Sequence, residues 1–224
     1  MDMTLTQIPT AEALRYLGCA GTVDAATLAL VESSCAKLLA TARPKWLYRV
    51  FEITIREDGV LLDCGLLLPG RDLAGHLCGC GRVALMAATL SAPVDALLRR
   101  SQAEDLSAGI TLDCCATAAI EAVCDRAEEE IKAQFPGCSF PFRYSPGYGD
   151  LPIELQAPLL KLLDGPRSMG LCASERHILT PRKSVTAILG ISDGELTPQK
   201  RGCASCSFHG RCKFQCKESS ERGL

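Results

Sequence analysis

The stretch FRYSPGYGDLP, Phe142 to Pro152, decides how the rest of the chain is read. A fixed cation stands at Arg143, a proline follows at Pro146, and Gly147, Tyr148 and Gly149 extend the bend. Proline restricts φ and glycine removes the side chain, so the backbone here can turn sharply and come close to a ligand. A guanidinium can hold a carboxylate through two parallel hydrogen bonds, and a tyrosine offers a hydroxyl or a π face to a cation. A ligand carrying both a carboxylate and a sulfonium suits that set. The same residues also suit an ordinary structural turn, with Arg143 paired to a surface carboxylate and Tyr148 packed at the loop edge, because turns rich in proline and glycine are common.

Outward from the bend, the sequence predicts a helix over Ile153 to Leu163 and strand-like segments at His177 to Leu179 and Ser184 to Ile191. On the other side, PFRY (141–144) reads as extended. Leu112 to Phe135 reads as a helix ending in the charged DRAEEEIKAQF and closed by Pro136-Gly137. Ala92 to Arg100 also has helical spacing, and Asp72 to Leu77 is a candidate short helix. Arg82 to Leu90 (RVALMAATL) fits a buried strand and a helix fragment equally well, since periodicity alone does not separate them. Trp46 to Thr54 is aromatic and β-branched, Glu57-Asp58-Gly59 is a turn signal, and Val60 to Leu68 is again apolar. That order predicts a β-hairpin, ended by Pro69-Gly70. Asp24 to Ala42 sets Leu28, Val31, Cys35, Leu38 and Leu39 at helical spacing. Helices and strands mix without a regular βαβ rhythm, so the expected class is α+β.

Arg143-Tyr144-Ser145-Pro146-Gly147-Tyr148 resembles the Arg-x-x-x-Gly-Tyr loop of the activation domain of cobalamin-dependent methionine synthase. After the loop come Leu162-Leu163-Asp164, Glu175, Pro181 and Ser184-Val185, in the family's order and nearly its spacing. Upstream, Val83 to Leu90 followed by Val94-Asp95 looks like free-standing relatives of that domain. The resemblance runs from Ile8 to Ser192 and is most specific after Arg143.

The resemblance implies a curved, mainly antiparallel sheet with flanking helices that binds S-adenosylmethionine in a shallow groove and docks onto a B12-carrying domain. It carries over cofactor-binding roles to Arg143, which would contact the ligand's methionine portion, to Tyr148 in the same pocket, and to Ser145, Pro146 and Gly147. No residue is expected to be catalytic. In that family the cobalt cofactor is occasionally lost to cob(II)alamin, and one electron plus the methyl group of S-adenosylmethionine restore methylcobalamin; the cofactors perform the bond chemistry and the protein positions them. The implied partners are a cobalamin-binding methionine synthase or corrinoid protein, which carries the cobalamin, and a reductase or flavodoxin-like electron donor. The chain departs from the long enzymes after Ser184-Val185. There the family continues into a segment with paired aromatic residues over the ligand, whereas here Gly190-Ile191-Ser192-Asp193-Gly194 runs straight on.

Fourteen cysteines are many for a cytosolic chain. Ten are scattered, mostly among apolar neighbours, where a thiol behaves as a small hydrophobe. The other four form Cys203-x2-Cys206-x5-Cys212-x3-Cys216, enough thiolates for a tetrahedral metal site, compatible with zinc or an iron-sulfur cluster. Lys200, Arg201, Arg211, Lys213 and Lys217 would offset the thiolate charge, or lower the thiol pKa values if no metal binds. His76, near Cys78-x-Cys80, is expected to be a core histidine, Glu128-Glu129-Glu130 a solvated helix face, and Asp113 and Asp125 show no paired-acid logic.

The expected organisation is an activation-like domain over 1–192, a linker over 193–201 and a cysteine-rich tail over 202–224. A net charge of -2 across 224 residues gives no overall pull toward nucleic acid or an anionic membrane. No apolar run approaches the roughly 20 residues of a bilayer span, and the start MDMTLTQIPTAEAL lacks a secretory pattern, so the expected place is the cytoplasm. The expected function is an S-adenosylmethionine-binding accessory protein for reductive remethylation of the cobalamin of a methionine synthase or related corrinoid methyltransferase. Two other readings are an iron-sulfur electron-transfer activator of a corrinoid protein and a zinc-stapled interaction module.

Overall fold

The computed structural model describes residues 1–19 and 21–196. Helices α1 (Thr10–Tyr16) and α2 (Ala25–Thr41) come first, then strands β1 (Lys45–Arg56), β2 (Gly59–Leu62) and β3 (Leu67–Pro69). Helix α3 (Arg71–His76), strand β4 (Arg82–Thr89) and helices α4 (Ala92–Glu104) and α5 (Leu106–Ala133) follow. After a 3-10 turn at Ile153–Leu155 come α6 (Gln156–Leu162), α7 (Gly165–Met169), β5 (Cys172–Ala173), β6 (Leu179–Thr180) and β7 (Ser184–Ile191). The tail cysteines Cys203, Cys206, Cys212 and Cys216 lie outside the described residues.

Five strands form one sheet in the order β3-β2-β1-β4-β7, and β5 pairs with β6 in a second. The β1–β2 and β2–β3 pairs are antiparallel. Along β4 the partners run backward on both sides: Gly81 and Leu90 meet Ile53 and Arg43, and on the other flank Ile191 and Lys183. The sheet is therefore antiparallel throughout, and the class is α+β as expected. The run 82–90 is a strand whose residues from Val83 onward are all buried. With neither face open to water it has no alternation for a sequence pattern to show. The predicted second arm of the hairpin is two strands instead of one. Asp63 to Gly65 break the apolar run, with Gly65 at φ 87, a conformation that glycine adopts without strain.

The chain forms two compact units. The first comprises Met1–Arg49, Leu85–Pro136 and Glu154–Ala187. In it α5 packs against α1, α2 and α4. Leu112, Cys115, Ala119, Val123, Ala127 and Ile131 recur on its buried face at helical spacing. Helix α5 corrects the expectation that no segment approaches spanning length. It is long and apolar enough to cross a membrane by length and composition, yet half of its apolar window is buried inside the fold. The acidic run is also divided: Glu128 is buried and pairs with Lys132 at 2.6 Å, while Glu129 and Glu130 face water. Asp113 is held by Lys183 at 3.0 Å.

Asp105 starts α5 by accepting hydrogen bonds from the Ser107 and Ala108 amides at 2.8 and 3.2 Å. Its replacement by alanine leaves those first-turn donors without their cap and is expected to cost about 1 kcal/mol, measured as a lower unfolding midpoint in urea. Asp105→Asn, which keeps the acceptor, should stay close to the unaltered chain.

The second unit comprises Val50–Ala84, Gly137–Ile153 and, among the described residues, 188–196. Its core includes Val60, Leu62, Leu68, Leu73 and Leu77, all essentially buried, and α3 lies against β2. Burial pushes the Cys80 thiol up to about 11 here, and the Cys115 thiol of the first unit up to about 12. Both are neutral small hydrophobes at physiological pH, as expected of the scattered cysteines. Cys64, Cys78 and Cys172 are exposed and depart from that expectation.

Candidate functional site

The bend belongs wholly to the second unit. Its approach is an extended segment beside the end of β7. Ser139 and Ser192 exchange two backbone hydrogen bonds of 2.9 Å, and Tyr144 and Ile188 exchange bonds of 2.9 and 2.7 Å. Five steps separate Ser139 from Tyr144 but four separate Ile188 from Ser192, so one extra residue is absorbed between the bridges, in the manner of a bulge. Pro141, which has no amide hydrogen to donate, sits in that stretch.

Gly190 of β7 is what lets the stretch lie so close. A side chain there would meet Cys80 Sγ at 2.7 Å, and Leu77 Cδ2 and Pro141 Cγ at 2.8 Å.

Past Tyr144 the chain folds on itself. The Tyr148 amide donates to Ser145 O at 3.0 Å, the Leu151 amide to Tyr148 O at 3.0 Å, and the Gly147 amide to Leu151 O at 2.8 Å. Gly147 and Gly149 have φ of 91 and 50, the left-handed region that glycine enters without strain. A side chain on Gly149 would run into Tyr144 Oη and Asp72 Oδ2. Ile153 caps the inner side of Gly147, with its Cδ1 3.1 Å from where a Cβ would stand.

The proposed binding residues thus share one self-closed bend but differ in exposure. Arg143 is buried, at 8% exposure, and Pro146 is buried beside half-buried Ser145, whereas Gly147 and Tyr148 face water, the latter at 55%. An ion held by a buried guanidinium is weakly screened, so a cation placed here acts strongly on any carboxylate that reaches it.

Four aromatic rings run from the interior to that exposed tip. His76 lies 4.3 Å from Phe142 and 5.0 Å from Tyr144 between ring centroids, and Tyr144 meets Tyr148 edge-on at 5.9 Å. His76 is buried, and its Nε2 is 2.7 Å from Phe142 O; a carbonyl accepts only, so Nε2 carries the hydrogen. The histidine is a core residue, as its apolar surroundings suggested. Because Phe142 and Tyr144 both face His76, the alternation of an extended chain turns Arg143 to the opposite side.

Two residues of this arrangement escaped the sequence reading. Asp150 accepts hydrogen bonds from the amides of Arg71 at 2.7 Å and Asp72 at 3.1 and 3.3 Å, capping α3 from 78 to 79 positions away. Gly70, which precedes α3, is the other: at φ 126 it leaves room for the Asp150 carboxylate, which a side chain would strike. The Gly-Asp pair in GYGDLP was the available signal, but nothing local names the helix it caps.

Nearby, Arg82 pairs with Asp193, and the Cys138 thiol donates to the same carboxylate at 3.3 Å. Desolvation, then that hydrogen bond, holds the Cys138 thiol above its ordinary pKa. Elsewhere, in the first unit, a shallow groove of about 560 Å³ runs past Pro9 and the charged side of α5 at Asp125, Arg126, Glu129 and Glu130. Its lining mixes charged side chains of both signs with Pro9, Ala122 and Ala133, and it lies open to solvent, unlike an enclosing small-molecule site. Among the described residues no cluster of three or more histidine, cysteine or acidic side chains is placed to hold a metal ion.

No family model and no curated protein matches the chain. Among solved structures, the MetH reactivation domain bound to S-adenosylhomocysteine superposes with a TM-score of 0.60 at 16% identity, over 88% of this chain and 80% of that one. The chain has the α+β fold of that reactivation domain, a curled antiparallel sheet with flanking helices.

Proposed function

We propose that this chain binds S-adenosylmethionine at Arg143, Ser145, Pro146, Gly147 and Tyr148 and serves the reductive reactivation of the cobalamin of a methionine synthase or a related corrinoid methyltransferase. The observation that carries the reading is the shared fold with a reactivation domain whose structure holds S-adenosylhomocysteine, over nearly nine-tenths of the chain. The bend gives it a local basis. Its donor set suits the ligand: a buried guanidinium for the carboxylate, a bare glycine backbone for close approach, and an exposed phenol ring braced by Tyr144 for the cationic end.

When bound, S-adenosylmethionine supplies an electrophilic methyl group. Arg143 orients the amino-acid end of the ligand and so sets the direction in which the other end points. Tyr148 limits water on one side of it. Fixing a reacting group in advance of an encounter is the main contribution a protein can make where the cofactors supply the bond chemistry. The cobalamin belongs to the partner, a cobalamin-binding methionine synthase or corrinoid protein, with a reductase or flavodoxin-like protein as electron donor, in the cytoplasm. The tail cysteines Cys203, Cys206, Cys212 and Cys216 hold zinc or an iron-sulfur cluster in this scheme.

Isothermal titration of the full chain with S-adenosylmethionine and S-adenosylhomocysteine tests the reading. Saturable one-to-one binding of either is expected; heats indistinguishable from dilution at millimolar ligand sink it. Metal analysis of the purified chain tests the tail separately, with about one zinc, or iron and acid-labile sulfide together, as the expected result.

A further inference from the structure

Helix α3 grips the bend at both of its flanks, and we infer that His76 and Asp150 are positioning residues that hold Arg143 to Tyr148 in a binding-competent shape. The inference rests on the reading that this bend is the ligand site. At its C-terminal end α3 presents His76, whose Nε2–H donates to Phe142 O at 2.7 Å, immediately before Arg143. At its N-terminal end the Arg71 and Asp72 amides are held by Asp150, immediately after Gly149. Six residues of helix span about 9 Å, so one rigid element fixes the separation of the two ends of the bend.

The backbone hydrogen bonds of the bend, from Tyr148 to Ser145, from Leu151 to Tyr148 and from Gly147 to Leu151, shape the tip and its return. The α3 contacts tie both of its flanks to one helix. Three close approaches mark the fit: Gly70 against Asp150, Gly149 against Asp72, and Gly149 against Tyr144. At each of them a methyl group would collide. A loop held at both ends loses less conformational freedom when a ligand arrives, and that saving appears as affinity.

The test uses the full chain with four variants and one control. His76→Phe keeps a ring but removes the donor, and His76→Gln restores a donor at similar reach. Asp150→Ala removes the cap, and Asp150→Asn restores an acceptor. Val31→Ala, in the other unit, opens a cavity at a fully buried position and serves as the stability-matched control. His76→Phe and Asp150→Ala are each expected to weaken S-adenosylhomocysteine about tenfold in titration calorimetry. The same two variants should speed hydrogen exchange at the Gly147, Tyr148 and Leu151 amides. Glutamine and asparagine should recover most of both effects, and Val31→Ala should change neither. Wild-type affinity and exchange in His76→Phe and Asp150→Ala, or an equal loss in Val31→Ala, overturns the inference. If the unaltered chain binds no S-adenosylhomocysteine, the ligand reading has failed on its own, and the exchange rates still decide whether α3 restrains the bend.

Discussion

Arg143→Ala is expected to weaken S-adenosylmethionine binding by two orders of magnitude. Removing one partner of a desolvated, hydrogen-bonded charge pair costs roughly 2–5 kcal/mol, and each 1.4 kcal/mol is about tenfold in affinity. Arg143 is buried to 8% exposure, so its interaction with a carboxylate sits toward the stronger end of the range for partly buried charges. The same burial means that alanine also leaves a space and disturbs the groups around it. A loss of stability of about 1–3 kcal/mol should accompany the change, and binding must therefore be measured well below the unfolding midpoint. Arg143→Lys separates the two effects. It keeps the charge but loses the planar fork, and should fall between alanine and the unaltered chain in affinity. An alanine variant that folds and binds with unchanged affinity would remove Arg143 from the site.

The balance between what sequence revealed and what it hid follows the range of the interactions. Helix α2 was legible from the helical spacing of Leu28, Val31, Cys35, Leu38 and Leu39, of which Val31 and Leu38 are buried. Gly147 and Gly149 were legible as a bend because positive φ is a local demand written in the residue itself. Helix α1 was missed: it has seven residues, a proline at its cap position and only Ala13 buried, so it lacks a stripe of its own. Strands β5 and β6 have two residues each and exist only as a pair. The candidate site divides in the same way. The residues of the bend follow one another in sequence, but its supports come from His76 and the first turn of α3, more than 60 positions upstream. No spacing rule links such positions. After Val185 the chain completes β7, and Ser192 bridges to Ser139, a partner 53 positions upstream. The aromatic cluster of this unit joins Phe142, buried Tyr144 and exposed Tyr148, on the segment that β7 supports.

That dependence makes Gly190 the position where a single methyl group should do most harm. Its backbone has ordinary φ, so the cost of Gly190→Ala is steric and not conformational. Three side-chain atoms close on the new Cβ, at 2.7, 2.8 and 2.8 Å, and each is poorly able to retreat. Leu77 is fully buried, Cys80 is nearly so, and Pro141 is a rigid ring in a segment pinned by the Ser139 and Tyr144 bridges. Overpacking of this kind costs about 1–3 kcal/mol, and valine should exceed alanine. The element freest to give is the stretch around Pro141, so relief of the clash should displace the residues leading into Arg143. Gly190→Ala is therefore expected to lower ligand affinity as well as the unfolding midpoint. Gly109→Ala provides the contrast. There the new Cβ would press on Gln102, with the Cα at 2.7 Å, between α4 and α5 in the first unit, and should cost comparable stability with affinity unchanged. Removing the obstructing ring by Pro141→Ala should make Gly190→Ala less damaging than it is alone, a coupling that a double-mutant cycle measures directly. Strict additivity of the two changes, or equal loss of affinity in Gly109→Ala, would show that β7 does not set the position of the bend.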